Sequence, residues 1–287
     1  MMAEDKFGLR PVWCSILAIY KEFERICKRH SLRFFFAEGN AIGAIRHKGF
    51  IPWDDDLDVI MPRPDYEKFK EVCKDELPTN LKFVDWHNTP EMAFTFGKIQ
   101  ECRRDYVEAV EQKVGHMLSN GLYIDILVLN GAPNGILNRR LFFVKLAMLV
   151  CAQRYLTLRY STLTTQKSRL FWVLGSLISR VFRVKSSDVV MTRIEKMMNE
   201  VPFELAQFTW REGASWRTTR LLFPRELWKE SVSVEFEDIM VPLPKEYDHF
   251  LRLQYGEYMK LPPEDRQRPS HSYSYRCAWW LGPTKYL

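Results

Sequence analysis

The sequence predicts an α+β protein, a mixed sheet with flanking helices and a basic helical insertion. Three observations carry that expectation. Apolar residues near the start of the 287-residue chain recur at spacings of three and four, the mark of an amphipathic helix. Short apolar runs follow, two of them carrying aspartates where a strand would bury them. The middle of the chain holds ten basic residues between Ile126 and Ser187 and no acidic one.

Each element has its own signal. Val12, Ile16, Ile19, Phe23 and Ile26 form the stripe of an opening helix ending near His30. Phe34 to Ala37 reads as a short strand running into a turn over Glu38 to Gly43, where Gly39 and Gly43 would let the backbone approach a ligand closely. Arg46, His47 and Lys48 follow at once, and a second strand is expected through Leu57, Val59, Ile60 and Met61. Arg63-Pro64-Asp65 opens a helix to about Glu76, since proline is tolerated in a first turn. Strands are expected over Leu81 to Val84, Ala93 to Ile99 and Leu122 to Leu129, the last with Asp125 as its only charge. Toward the C-terminus come strands over Val232 to Phe236 and around Ile239 to Val241. A helix from about Lys245 to Tyr255, ended by Gly256, precedes a proline-rich surface loop over residues 261–271 that carries His271.

The run Trp53-Asp54-Asp55-Asp56-Leu57-Asp58 poses an energetic conflict. Its apolar neighbours ask for burial, whereas buried carboxylates are costly unless a cation or donors compensate. In a strand, residues two apart share a face, so Asp56 and Asp58 face together, with Asp54 as a possible third oxygen ligand. An all-oxygen set suits magnesium, manganese or calcium rather than zinc. A calcium loop opening at Asp54 is excluded, because Val59 would replace its glycine and Asp65 its final glutamate. A solvated acidic turn is the bland alternative. For Asp125, a possible third carboxylate opposite the Asp56/Asp58 face, the alternative is a turn cap. Strand, glycine turn, basic cluster and paired aspartates together suit a metal-bound di- or triphosphate.

Composition narrows the class. A hydrophobic share of 46% is ample for one large domain or a core with an insertion. The expected division is a catalytic core over 1–130, an insertion over 131–200 and a core-completing segment over 201–287. Six scattered cysteines with no CxxC pair argue against a zinc ribbon and for reduced thiols. The opening six residues are polar and precede no signal-peptide apolar core, so a cytoplasmic location is expected. The basic stretch holds apolar runs too short or interrupted to span a bilayer, which needs about 20 residues. It suits an anionic membrane surface, peripherally bound. The alternatives are a core-packing insertion with a solvated basic face and a nucleic-acid surface; no motif supports nucleic acid.

The segment from Ala41 to Arg63 with Asp65-Tyr66-Glu67-Lys68-Phe69 resembles the LicD family, which includes the fukutin-related enzymes. Tyr123-Ile124-Asp125-Ile126 and Val241 to Asp248 with Tyr255 to Glu264 agree with that resemblance. It implies a nucleotidyltransferase-like fold. It also implies magnesium- or manganese-dependent transfer of phosphocholine or an alditol phosphate from a CDP-linked donor to a glycan or lipid-linked glycan. Asn40 stands where the family usually has threonine, and Asn130 where it has aspartate, so donor choice is the open point.

On this reading Asp54, Asp56, Asp58 and Asp125 are the candidate metal ligands. Asp56, Asp58 and Asp125 are also the candidate catalytic carboxylates, Asp125 as ligand or base. Gly39, Asn40, Gly43, Arg46, His47, Lys48, Lys98 and His271 are the candidate substrate contacts. Two rivals stand beside it: transfer of the nucleotide itself on the same fold, and a catalytically silent membrane-associated glycan-binding protein.

Overall fold

The computed structural model describes residues 5–89, 94–102, 121–157, 166–212 and 221–269. Helix α1 (Arg10–Arg29) opens with proline in its first turn and buries Val12, Ile16, Ile19, Tyr20, Phe23 and Ile26. Strand β1 (Phe35–Phe36) is followed by α2 (Glu38–Arg46), β2 (Asp58–Pro62) and α3 (Arg63–Glu76). Strands β3 (Leu81–Val84), β4 (Gly97–Glu101) and β5 (Tyr123–Gly131) lead to three helices, α4 (Ile136–Thr157), α5 (Gln166–Val181) and α6 (Ser187–Met198). Short strands β6 (Phe208–Trp210) and β7 (Phe223–Pro224) precede the hairpin β8 (Ser231–Phe236) and β9 (Ile239–Pro244), and α7 (Tyr247–Tyr255) follows. Gly256, at φ +69°, ends α7 as the glycine there suggested.

The main sheet runs β1-β2-β5-β4-β3, with β6 added to β5 and β7 to β6. Among the described residues only the β2/β5 pair is parallel, so the sheet is mixed and the chain is α+β. All five residues of β2 are buried. A strand covered on both faces reads as a continuous apolar run, which is why Val59, Ile60 and Met61 show no alternation. Phe236 of the hairpin caps one end by packing edge-on against Phe36 and Phe50.

The principal core joins α1, α3, the sheet and the hairpin. The helical stretch has a second cluster built from Phe142, Phe143, Leu146, Val190, Met191 and Ile194 around Trp210. Among the described residues no helix is long and apolar enough to cross a membrane. The five cysteines among them are unpaired.

Two expectations about elements change. Residues 38–43, read as a glycine turn, are the start of helix α2: Gly39, Ala41, Gly43 and Ala44 let that helix sit close to its neighbours. A Cβ on Gly43 would collide with the Gly49 carbonyl. The strand expected over 93–99 begins only at Gly97 and runs to Glu101; Ala93 lies outside the described residues.

Candidate active site

Register builds the centre of the site. Asp58 on β2 pairs with Asp125 on β5, and Asp125 pairs with Lys98 on β4. Residues paired in register project to the same face of a sheet, so Lys98, Asp125 and Asp58 stand in one row. Lys98 Nζ lies 3.0 Å from an Asp125 carboxylate oxygen and 3.6 Å from the centre of the Tyr123 ring. Buried Lys98 thus has both an anion and an aromatic face to offset its desolvation.

The other acidic residues precede the strand. Asp54 and Asp56 lie in an irregular segment held by its backbone: Trp13 Nε1 donates to the Asp54 carbonyl at 2.7 Å, and the Asp125 N–H donates to the Leu57 carbonyl at 2.9 Å. Asn40 is completely buried in α2. Its Nδ2 donates to the Asp56 carbonyl at 3.0 Å, and its Oδ1 accepts the Asp58 N–H at 2.6 Å. One carboxamide therefore clamps the aspartate segment on both sides of Leu57.

Crowding sets the electrostatics. Burial raises the Asp58 carboxyl well above the usual range, and Asp56, Asp125 and Asp54 raise it further while Lys98 opposes them. Asp54 is likewise pushed up by burial and then by Asp56 and Asp55, against Arg46. Its Oδ2 is buried without a hydrogen-bond partner and faces Gly39 in the first turn of α2, where a Cβ would strike it. Such a set stores repulsion that a divalent cation would relieve, and its all-oxygen chemistry fits magnesium or manganese. As the side chains stand, no three His, Cys, Asp or Glu among the described residues already converge on one ligating point.

The remaining candidates separate. Arg46 faces the acidic segment, its Nε donating to His47 Nε2 at 2.9 Å and its Nη1 to the Tyr258 carbonyl at 2.8 Å. Burial and the adjacent Arg46 both lower the His47 pKa. Lys48, expected beside the phosphates, turns away to pair with Glu235 of the hairpin at 2.9 Å, because the chain leaves α2 through a left-handed residue, Lys48 at φ +53°. A Cβ at Gly39 would meet the Asp54 carboxylate and one at Gly43 the Gly49 carbonyl, and Asn40 gives both ends of its amide to backbone, so all three shape the aspartate segment. His271 lies outside the described residues.

One group escaped the sequence reading. Glu38, at φ +46°, forms an ion pair with buried Arg211 and accepts hydrogen bonds from Gln254 Nε2 at 2.7 Å and the Tyr255 hydroxyl at 2.6 Å. It ties the entrance of α2, next to Gly39 and Asp54, to the residue that follows β6 and to α7. The only linear signal was a glutamate just before the glycine pair; its partners lie 173 to 217 residues away.

Residues 31–127 match the family model described as LicD/FKTN/FKRP, nucleotidyltransferase domain. The chain is 29% identical over 279 residues to the lipopolysaccharide cholinephosphotransferase LicD of Haemophilus influenzae, covering 93% of this chain and 97% of that protein. A shorter stretch of 58 residues is 29% identical to an uncharacterized protein of Rickettsia typhi, covering 20% of this chain and 19% of that one.

Proposed function

We propose, from the premise that this chain carries a nucleotidyltransferase domain of the LicD family, that it is a transferase moving phosphocholine from a CDP-linked donor to a hydroxyl of a lipopolysaccharide-type glycan. Similarity along nearly the whole length of a lipopolysaccharide cholinephosphotransferase supports the transferred group and the acceptor class. The observation that carries the chemistry is the Lys98–Asp125–Asp58 row beside the Asp54/Asp56 segment.

A magnesium or manganese ion held by Asp54, Asp56 and Asp58 would neutralise charge on the donor's phosphate oxygens and on the departing nucleoside monophosphate. The side chains supply the rest. Asp125, held by Lys98, takes the proton from the acceptor hydroxyl. As that oxygen bonds to the phosphorus of the phosphocholine group, the bond from phosphorus to the bridging oxygen breaks and cytidine monophosphate leaves. Arg46 approaches the phosphates from the α2 side with neutral His47 beside it. Asn40 and the Glu38–Arg211 pair keep the aspartate segment and α2 in place while charge builds.

The test uses the full chain with magnesium, isotopically labelled CDP-choline and a lipopolysaccharide acceptor, with CDP-linked alditols as parallel donors. Mass spectrometry should find phosphocholine on the glycan and stoichiometric cytidine monophosphate. A nucleotidylated glycan would replace this reading by nucleotide transfer. Neither metal-dependent donor binding nor turnover with any donor would favour a silent binding protein.

A further inference from the structure

Half of the large apolar side chains exposed among the described residues lie on α4 and α5, with Phe182 just beyond. On α5 they form a stripe at helical spacing: Leu170, Val173, Leu174, Leu177 and Val181, from 40% to 75% exposed. Leu137, Leu141 and Val144 form a similar stripe on α4. Neither stripe is what holds the helices together. Gly175 lets α5 close on α4, since a Cβ there would strike the Cys151 carbonyl, and Trp172 packs edge-on against Tyr155 with ring centres 4.8 Å apart. These contacts run antiparallel. Continued along both helices, that antiparallel order sets Val181 level with the first half of α4, where Leu141 and Val144 are also exposed.

Charge identifies the occupant. Arg140 and Lys145 adjoin the α4 stripe and Arg180 the α5 stripe, with Arg183 and Lys185 just beyond, all of them exposed. No acidic residue occurs between Ile126 and Ser187. A second copy would bring the same basic face against itself and repel. An acid-free face of leucines edged by arginine and lysine is complementary to acyl chains below and anionic headgroups above. We infer that the α4–α5 hairpin docks this protein on an anionic lipid surface, its two apolar stripes entering the headgroup boundary without spanning the bilayer. This stands apart from the transfer reaction, because its test involves neither donor nor acceptor.

The experiment is sedimentation of the full chain with vesicles of equal parts phosphatidylglycerol and phosphatidylcholine, against vesicles of phosphatidylcholine alone. Binding should favour the anionic vesicles and fall steeply with added salt. The pair Leu174→Ser and Leu177→Ser should weaken it roughly a hundredfold, and Arg140→Gln with Arg180→Gln and Lys185→Gln should abolish the preference for anionic lipid. All five positions are exposed, so circular dichroism and melting should match the parent. No vesicle binding would overturn the inference, as would binding that both sets of variants leave unchanged. A dimer in light scattering that the leucine variants dissociate, with no vesicle binding, would assign the face to a second copy.

Discussion

Asp58 and Asp125 are register partners across the parallel β2/β5 pair, separated by 67 positions in sequence and brought side by side by that ladder. With Lys98 as the next member of the row, two carboxylates share one buried ammonium. Positive charge falls short of negative, and that shortfall frames the first prediction.

Asp58→Asn should lower transfer by about a thousandfold yet raise the melting temperature of the metal-free protein by a few degrees, roughly, because it removes a repelled buried charge. The pH sign follows from the raised Asp58 and Asp54 carboxyls. A carboxyl whose folded pKa lies above its unfolded value contributes stability at low pH, and that contribution is lost as pH rises through the folded value. Melts in chelator should therefore show this cluster favouring the fold more at mildly acidic than at neutral pH, with a smaller difference in Asp58→Asn. Magnesium should raise the neutral-pH melting temperature of the parent and not of the variant; equal gains in both would argue against Asp58 as a ligand.

Asn40→Ala removes both hydrogen bonds of the clamp and strands the Asp58 N–H and the Asp56 carbonyl in a buried setting. The expected cost is about 2–4 kcal/mol in urea unfolding, with a fall in kcat larger than any rise in KM for the donor. If KM alone rises, Asn40 touches the donor after all.

Breaking the Glu38–Arg211 pair from one side leaves a buried charge without its partner. Arg211→Met should cost about 3–5 kcal/mol, and Glu38→Gln added to it should recover part of that loss. Tyr255→Phe removes the hydroxyl's bond to Glu38 and the one it accepts from Gln254 Nε2, leaves the ion pair in place and should cost about 1 kcal/mol. A double-mutant cycle in denaturant measures all three; additivity of Glu38 and Arg211 would dismiss the pair.

The two glycines of α2 should fail in different ways. A Cβ at Gly43 meets the Gly49 backbone carbonyl, which can yield only by moving the chain. Gly43→Ala should therefore destabilise by about 1–3 kcal/mol in thermal melts. A Cβ at Gly39 meets the Asp54 carboxylate, which can rotate, so Gly39→Ala should lose activity with a smaller change in melting. Similar losses of stability in both would show that Asp54 is rigidly held.

Elements whose signal is local were legible in the chain alone. The stripe of α1, the proline opening of α3, the glycine end of α7 and the apolar run of β5 depend on neighbours within a turn or a few residues. So does the conflict of aspartates set among apolar residues. The α2 glycines misled because glycine permits a turn and equally permits a helix to pack against a carbonyl; Gly49 and Asp54 chose between these. Lys48 stood in line with Arg46 and His47, yet one left-handed residue sent it to Glu235.

The aspartate run identifies itself by composition, since burying carboxylates beside leucine and valine is costly wherever it occurs. Which carboxylates act together is a different matter. The pairing of Asp58 with Asp125, the row completed by Lys98 and the closing of Glu38 on Arg211 and Tyr255 all depend on strand register and on contacts between distant segments. No local pattern encodes those distances; they exist only once the sheet is ordered and its helices have packed.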